Sequence, residues 1–384
     1  MIFELTGEQQ MIQEMVRGFV EKEVKPVASR LDREGIYPRD HLKKLAEIGL
    51  MGALAPAEYG GAKMDLLSYI VAMEEIAKAW ASLSVIVGLN NSMLCDPLAR
   101  FGTEEQKKRY LPRLVKAELL GCYALSEPGA GSDAASIKTR AEKVGADYIL
   151  NGTKIFITNG READFAVVFA VTAPERGKHG ISAFLVEKGT AGFEVGKVED
   201  KMGLRASDTA ELIFQDCKVA RENLLGDENG GYGIALSALE GGRIGIAAQA
   251  VGIAQGCLEE AVRYAKERRQ FGRPIAEFQA IQWMIADMAT EIEAARLLTR
   301  RAARKKDLGM RVTKEAAQAK LFASETANRA AYKAGQIFGG YGYIKDFPVE
   351  RFYRDARITT IYEGTSEIQR LVIAREALGE KDLR

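Results

Sequence analysis

The sequence predicts an α+β multidomain chain, with an N-terminal α-helical domain over residues 1–120, a middle antiparallel β domain over 121–230 and a C-terminal α-helical bundle over 231–384. Three observations predict it. The hydrophobic period is helical at the N-terminus, close to two between about Tyr123 and Val219, and helical again beyond Gly230-Gly231. The strand-like runs follow one another without intervening helices, which argues for antiparallel rather than doubly wound pairing. The length of 384 residues, at roughly 150 per domain, leaves room for two or three domains.

The first helix opens with Thr6-Gly7-Glu8-Gln9, a capping box whose Thr hydroxyl and Gln amide satisfy each other's exposed N–H groups. Behind it Ile12, Met15, Val16, Phe19 and Val20 recur at helical spacing and mark one buried face. Pro56 to Gly61 reads as a loop. A second box, Thr103-Glu104-Glu105-Gln106, opens another helix, and Pro112 marks a break or a fresh start downstream.

In the middle section Tyr148–Leu150 and Thr153–Thr158 flank Asn151-Gly152, the pair favoured in a type I′ hairpin turn. Phe165–Val171, Ile181–Val186, Phe193–Val198 and Glu211–Val219 read as further strands. Beyond them Ile234–Gln255 is a helix rich in small residues, suited to close packing. Long amphipathic runs follow at about Arg273–Lys306 and Thr313–Phe338, and a last helix at Glu367–Leu378 stops at Gly379.

Composition excludes several function classes. With 54 basic and 53 acidic residues the net charge is +1, which removes the electrostatic case for a nucleic-acid or anionic-membrane partner. Cys95, Cys122, Cys217 and Cys257 form no close pair, and His41 and His179 stand alone, so no zinc or redox motif is written. The opening residues carry acids and glutamines where a signal peptide would be basic and apolar. The longest apolar run, Phe165–Val171, is far short of a membrane span. The expected location is cytoplasmic, with no membrane insertion.

Two segments carry the chemical signal. Gly129 to Ala134 matches G-x-G-x-x-A, but it follows Ser126-Glu127-Pro128 and leads into strand-like sequence, so the dinucleotide-fold reading is rejected. What remains is a loop whose N–H groups could line a planar heterocycle or hold an anion; a plain connection is the alternative. In Ile361 to Ser366, Ser366 with Gln369 reads as a capping box, which leaves Glu363 in the loop before the last helix. A carboxylate between Ile361 and Tyr362 would be partly desolvated and suited to general-base work, with Gly364 admitting a ligand close to the backbone. An ordinary surface glutamate is the alternative, and local sequence alone favours it. The turn Arg268–Pro274 could grip a phosphate, and Gln336–Tyr343 is a helix end running into glycines. The basic run from Arg296 to Lys306 reads as a solvated helix face.

Taken in order, YALSEPGAGSD, KIFITNG, RRQFGRP, QIFGGYGY and RDARITTIYEGTSEIQR resemble the acyl-CoA dehydrogenase family over essentially the whole chain. The resemblance implies FAD as cofactor and Glu363 as catalytic base. Tyr123, Leu125, Ser126, Gly131 and Ser132, with Phe156, Ile157 and Thr158, match positions around the isoalloxazine ring. Arg268, Phe271, Gln279, Gln336, Ile337, Gly339 and Gly340 match the pyrophosphate and adenine sites, usually completed by a neighbouring subunit. Thr365, Ser366 and Glu367 match further FAD contacts. Ser132, Glu240, Arg243, Gln249, Thr359 and Gly364 match acyl-CoA contacts.

Some relatives place the base immediately before the arginine matched by Arg243. Here that position is Gly242, so Glu363 stands alone as candidate. The implied reaction is α,β-dehydrogenation of an acyl-CoA to the trans-2-enoyl-CoA, with an electron-transfer flavoprotein as acceptor and a homotetramer, a dimer of dimers, as assembly. Gln249 and Thr359 fall where short-chain members close the acyl pocket, so butyryl-CoA-like substrates are expected, with 2-methyl-branched and medium-chain thioesters as alternatives. Phe156 departs from the tryptophan many members carry beside the flavin. A flavin oxidase or monooxygenase, a nucleic-acid-binding flavoprotein and an inactive acyl-CoA binder are the competing readings.

Overall fold

The computed structural model describes residues 4–379. Seven N-terminal helices come first: α1 (Gly7–Phe19), α2 (Lys25–Glu34), α3 (Arg39–Glu47), α4 (Leu66–Ala79), α5 (Ala81–Gly88), α6 (Asp96–Phe101) and α7 (Glu104–Val115). Both capping boxes form, at Thr6/Gln9 and Thr103/Gln106. Pro112 does not break its helix; it lies inside α7, near the end of the element, where few hydrogen bonds remain to be lost. A wide π-helical stretch, Leu89–Cys95, bridges α5 and α6 with every side chain buried.

The middle section is a mainly antiparallel eight-stranded sheet: β1 (Gly121–Ala124), β2 (Arg140–Val144), β3 (Asp147–Thr158), β4 (Phe165–Val171), β5 (Ile181–Glu187), β6 (Phe193–Val198), β7 (Thr209–Val219) and β8 (Leu224–Leu225). Two parallel pairings depart from the antiparallel expectation, β1 with β4 and β2 with β4. The hairpin expected at Asn151-Gly152 is absent, because β3 runs straight through it. The Asn151 side chain bonds Asp216 across the ladder instead, and the register shifts between Leu150 and Gly152 as a bulge. The turn lies earlier, where Val144 pairs with Asp147 around Gly145 at φ 64°.

The C-terminal section holds α8 (Gly231–Glu267), the short ribbon β9 (Arg269–Gln270) and β10 (Arg273–Pro274), α9 (Gln279–Asp307), α10 (Thr313–Phe338), α11 (Val349–Ile358) and α12 (Ser366–Leu378). The helix expected from about Arg273 begins only at Gln279, since Arg273-Pro274 pairs with Arg269-Gln270. Phe271 and Gly272, at φ 50° and 80°, give that ribbon the two left-handed residues of a type I′ turn. One apolar cluster joins α1–α5 to α8, α9, α10 and α11, so the two helical regions share a core, and a separate cluster fills the sheet.

Candidate active site

Glu363 lies in the turn between α11 and α12, at φ 51°, followed by Gly364 at φ 94°. Left-handed backbone is costly for a side chain other than glycine, so a glutamate there needs holding. The holding is visible. Gln369 Nε2 donates to the carbonyls of Glu363 (3.3 Å) and Gly364 (2.9 Å), and Lys320 Nζ donates to Gly364 O at 2.8 Å. Thr365, not Ser366, caps α12, its hydroxyl accepting from Ile368 N. The expected Ser366/Gln369 box therefore does not form, because Gln369 is spent on the loop that carries Glu363.

The Glu363 carboxylate points at α8. A Cβ built on Gly242 would lie 2.1 Å from Glu363 Oε2 and 2.4 Å from Met93 Cε, so the glycine is the space the carboxylate occupies. Among the described residues, the polar atoms buried here without a hydrogen-bond partner include Glu363 Oε2, Arg243 Nε, Ser366 Oγ and Gln369 Oε1. Buried polar groups are nearly always satisfied, so such a cluster marks room for a polar ligand. Burial pushes the Glu363 carboxyl up to about 7, with Lys320 and then Arg243 pulling it back. Burial lowers Arg243, and pushes Tyr69 and Tyr123 well above the ordinary phenol range.

Beyond the carboxylate, Gln249 is fully buried on α8, donating to Ala81 O and Ser84 Oγ at 2.9 Å each and accepting from the Tyr362 hydroxyl. Thr359 is also buried, but at the C-terminal end of α11 its hydroxyl donates to Ala356 O in the last turn. Glu240 accepts from Thr313 Oγ1 at 2.8 Å.

The remaining predicted residues fall into two groups. In the sheet, Ile155 N bonds Ser126 O at 3.0 Å, which joins the Tyr123–Ser132 segment to the Phe156–Thr158 segment. Leu125 and Ile157 are buried, Gly131 and Ser132 are exposed, and Phe156 stands 65% exposed at φ 57°. Among the C-terminal helices, Arg268, Ile337, Gly339 and Gly340 line a cavity of about 510 Å³ with Tyr264 and Phe338. Phe271 (92% exposed), Gln279, Gln336 and Glu367 point to solvent and lie outside that lining. The residues present fit FAD. An exposed aromatic beside the glycine loop suits the face of a ring system, and one arginine with two side-chain-free glycines suits a pyrophosphate.

Sequence reasoning missed Lys320, Met93 and the buried pair Lys154–Glu127, whose 2.7 Å contact pins the flavin-matching loop, and it gave Gln369 a capping role instead of its bonds to the Glu363 loop. A signal existed for both lysines. Lys320 interrupts the alanine face of α10, and Lys154 takes an inward position in the alternation of β3.

Comparison with known proteins agrees with this architecture. Profiles of the acyl-CoA dehydrogenase N-terminal, middle and C-terminal domains match residues 6–118, 122–217 and 229–378. The chain therefore belongs to the acyl-CoA dehydrogenase family, and it is an FAD-dependent oxidoreductase. It is 51% identical to the short-chain specific acyl-CoA dehydrogenase of Clostridium acetobutylicum, over 97% of this chain and 99% of that protein. The butyryl-CoA dehydrogenase of Megasphaera elsdenii superposes with a TM-score of 0.96 at 48% identity, covering 98% of this chain and 100% of that one. A chain from a structural study of the electron transferring flavoprotein of Acidaminococcus fermentans superposes with a TM-score of 0.97 at 51% identity, covering both chains fully.

Proposed function

We propose that this protein dehydrogenates short-chain acyl-CoA thioesters to trans-2-enoyl-CoA products, with Glu363 as the base that removes the α proton. The observation that carries the reading is Glu363 itself. Its carboxylate oxygen is buried and unpartnered, yet two cations keep its pKa near neutrality, at about 7. A base with that affinity is poised for a weakly acidic C–H, provided the growing charge on the thioester oxygen is met. The Glu363 N–H has no backbone partner among the described residues and can donate there. When bound, FAD supplies the acceptor for the β hydride. Tyr123, Leu125, Ser126, Gly131, Ser132, Phe156, Ile157 and Thr158 would hold its ring, and Arg268, Ile337, Gly339 and Gly340 its phosphates and adenine, with Phe271, Gln279 and Gln336 turned outward for a neighbouring subunit's cofactor. Ser132, Glu240, Arg243 and Gly364 would hold the thioester.

Gln249, locked between α5 and Tyr362, would close the acyl pocket at short length. The similarity to short-chain and butyryl-CoA enzymes supports this. An electron-transfer flavoprotein as redox partner, a homotetrameric assembly, a place in β-oxidation and a domain division at 120/121 and 230/231 complete the reading. Glu363→Gln tests it: anaerobic bleaching of the flavin by butyryl-CoA should slow at least ~100-fold, while a non-oxidisable thioether analogue still binds. Full-rate bleaching by the amide variant overturns the assignment. Parallel turnover of C4, branched C5 and C8 thioesters tests the chain length, and a preference for C8 overturns that part.

A further inference from the structure

We propose that Lys320 is the positioning residue of the catalytic base: its ammonium clamps the Gly364 carbonyl, and so the turn that carries Glu363, while facing the carboxylate as a buried cation with no carboxylate of its own. The proposal rests on the reading of Glu363 as base.

Lys320 is fully buried in α10, on a face it shares with Ala316, Ala317, Ala319, Ala323 and Ser324. Two other cations on the same helix pair with acids nearer the surface, Arg329 with Glu291 at 2.8 Å and Lys333 with Asp287 at 3.0 Å. Lys320 has no ion-pair partner among the described residues, and its hydrogen bond goes to Gly364 O at 2.8 Å. An ammonium taken out of water is expensive, and one carbonyl does not offset that cost. The nearby group that gains from the charge is Glu363, whose Oε2 has no hydrogen-bond donor.

The backbone argues the same way. Two successive left-handed residues, Glu363 and Gly364, are followed by the carbonyl that Lys320 and Gln369 hold together. One side chain thus fixes where the base is and how much its burial costs. Burial lowers Lys320 itself to about 8, so it remains mainly protonated at pH 7. The groups bearing on the pair are Arg243 from α8, Tyr69 from α4, Tyr123 from β1 and Tyr362 beside the base, with Glu325 and Glu367 facing Lys320. Of these, Arg243 is the other cation that offsets the burial of Glu363, and among the described residues it makes no hydrogen bond to the turn's carbonyls.

The test uses the holoenzyme and two variants. Lys320→Met removes charge and donor; Lys320→Gln removes the charge and keeps a donor. The resting enzyme is titrated by infrared spectroscopy, following the protonated-carboxyl band that Glu363→Gln lacks. The proposal expects the ionisation constant of Glu363 to weaken at least ~tenfold in both variants, moving the midpoint upward. The acid limb of flavin reduction by butyryl-CoA should move with it. At pH 9 Lys320→Gln should regain near wild-type reduction, whereas Lys320→Met should stay slower because the turn is looser. An unmoved midpoint in Lys320→Gln overturns the proposal even if turnover falls, because a merely structural lysine would lower activity without shifting the titration. If Glu363→Gln bleaches at full speed the base assignment fails instead, so the two failures are separable. Should Lys320→Met not fold, Lys320→Gln alone decides.

Discussion

Gly242 and Glu363 compete for one small volume, and the competition defines the site at the scale of single atoms. The neighbours a Cβ would strike are the tips of two flexible side chains, Glu363 and Met93, not backbone. Gly242→Ala should therefore fold normally and bind FAD, while the Glu363 carboxylate, the proposed base, is pushed off its line to the substrate. Displacements of this size cost roughly 100-fold in rate, and stopped-flow flavin reduction is the readout. Wild-type rate in this variant would mean the carboxylate does not work from where it stands. Much of this site was legible in the sequence, because Glu363, Gly364 and Arg243 lie in contiguous motifs and Gly242 excluded the other base position. What was not legible came from elsewhere in the chain. Nothing in a run of alanines says that Lys320 reaches a carbonyl 44 positions away, or that Gln369 leaves its capping role to hold the loop.

The elements were legible wherever periodicity alone decides. Phe165–Val171 and Phe193–Val198 are strands with the boundaries read from the pattern, and α10 spans Thr313–Phe338 as expected. The errors came where tertiary pairing overrode a local preference. Asn151-Gly152 has the chemistry of a tight turn, but Asn151 finds Asp216 across the sheet and the strand continues. Two-body packing also gives the glycines of α8 different meanings that sequence cannot separate. A Cβ on Gly252 would meet Glu74 O at 2.4 Å and Ala77 Cβ at 2.7 Å, so α8 and α4 touch through it. On Gly245 the nearest atom is Ser92 Oγ at 4.0 Å. Gly252→Ala should cost roughly 1–3 kcal/mol in urea unfolding, because backbone must move. Gly245→Ala should be neutral or stabilising by up to about 1 kcal/mol, from helix propensity alone. Equal effects at the two sites would mean that the close crossing of α4 and α8 is not what the glycine serves.

Across the whole molecule, the three sections meet at a buried carboxylate pair. Asp32 on α2 accepts from Arg205 N at 3.3 Å and pairs with Arg354 at 3.1 Å, and Asp355 on α11 accepts from Leu204 N at 2.7 Å. The N-terminal helices, the β6–β7 loop and the C-terminal bundle are thereby tied at one point. Asp355 Oδ2 has no partner, and burial, with Asp32 adding repulsion, raises its carboxyl to about 7. In the unfolded chain the same group titrates near 4. Between those values the folded protein holds the proton more tightly, so Asp355 favours folding at low pH, and that contribution is lost as pH rises through about 7. Asp355→Asn keeps an acceptor for Leu204 N and cannot ionise. The difference in melting temperature, variant minus wild type, should therefore rise by roughly 2 °C or more between pH 5 and pH 8. A difference that stays flat or falls over that range would show that Asp355 ionises freely in the folded protein, and that the seam between the three sections carries no buried proton.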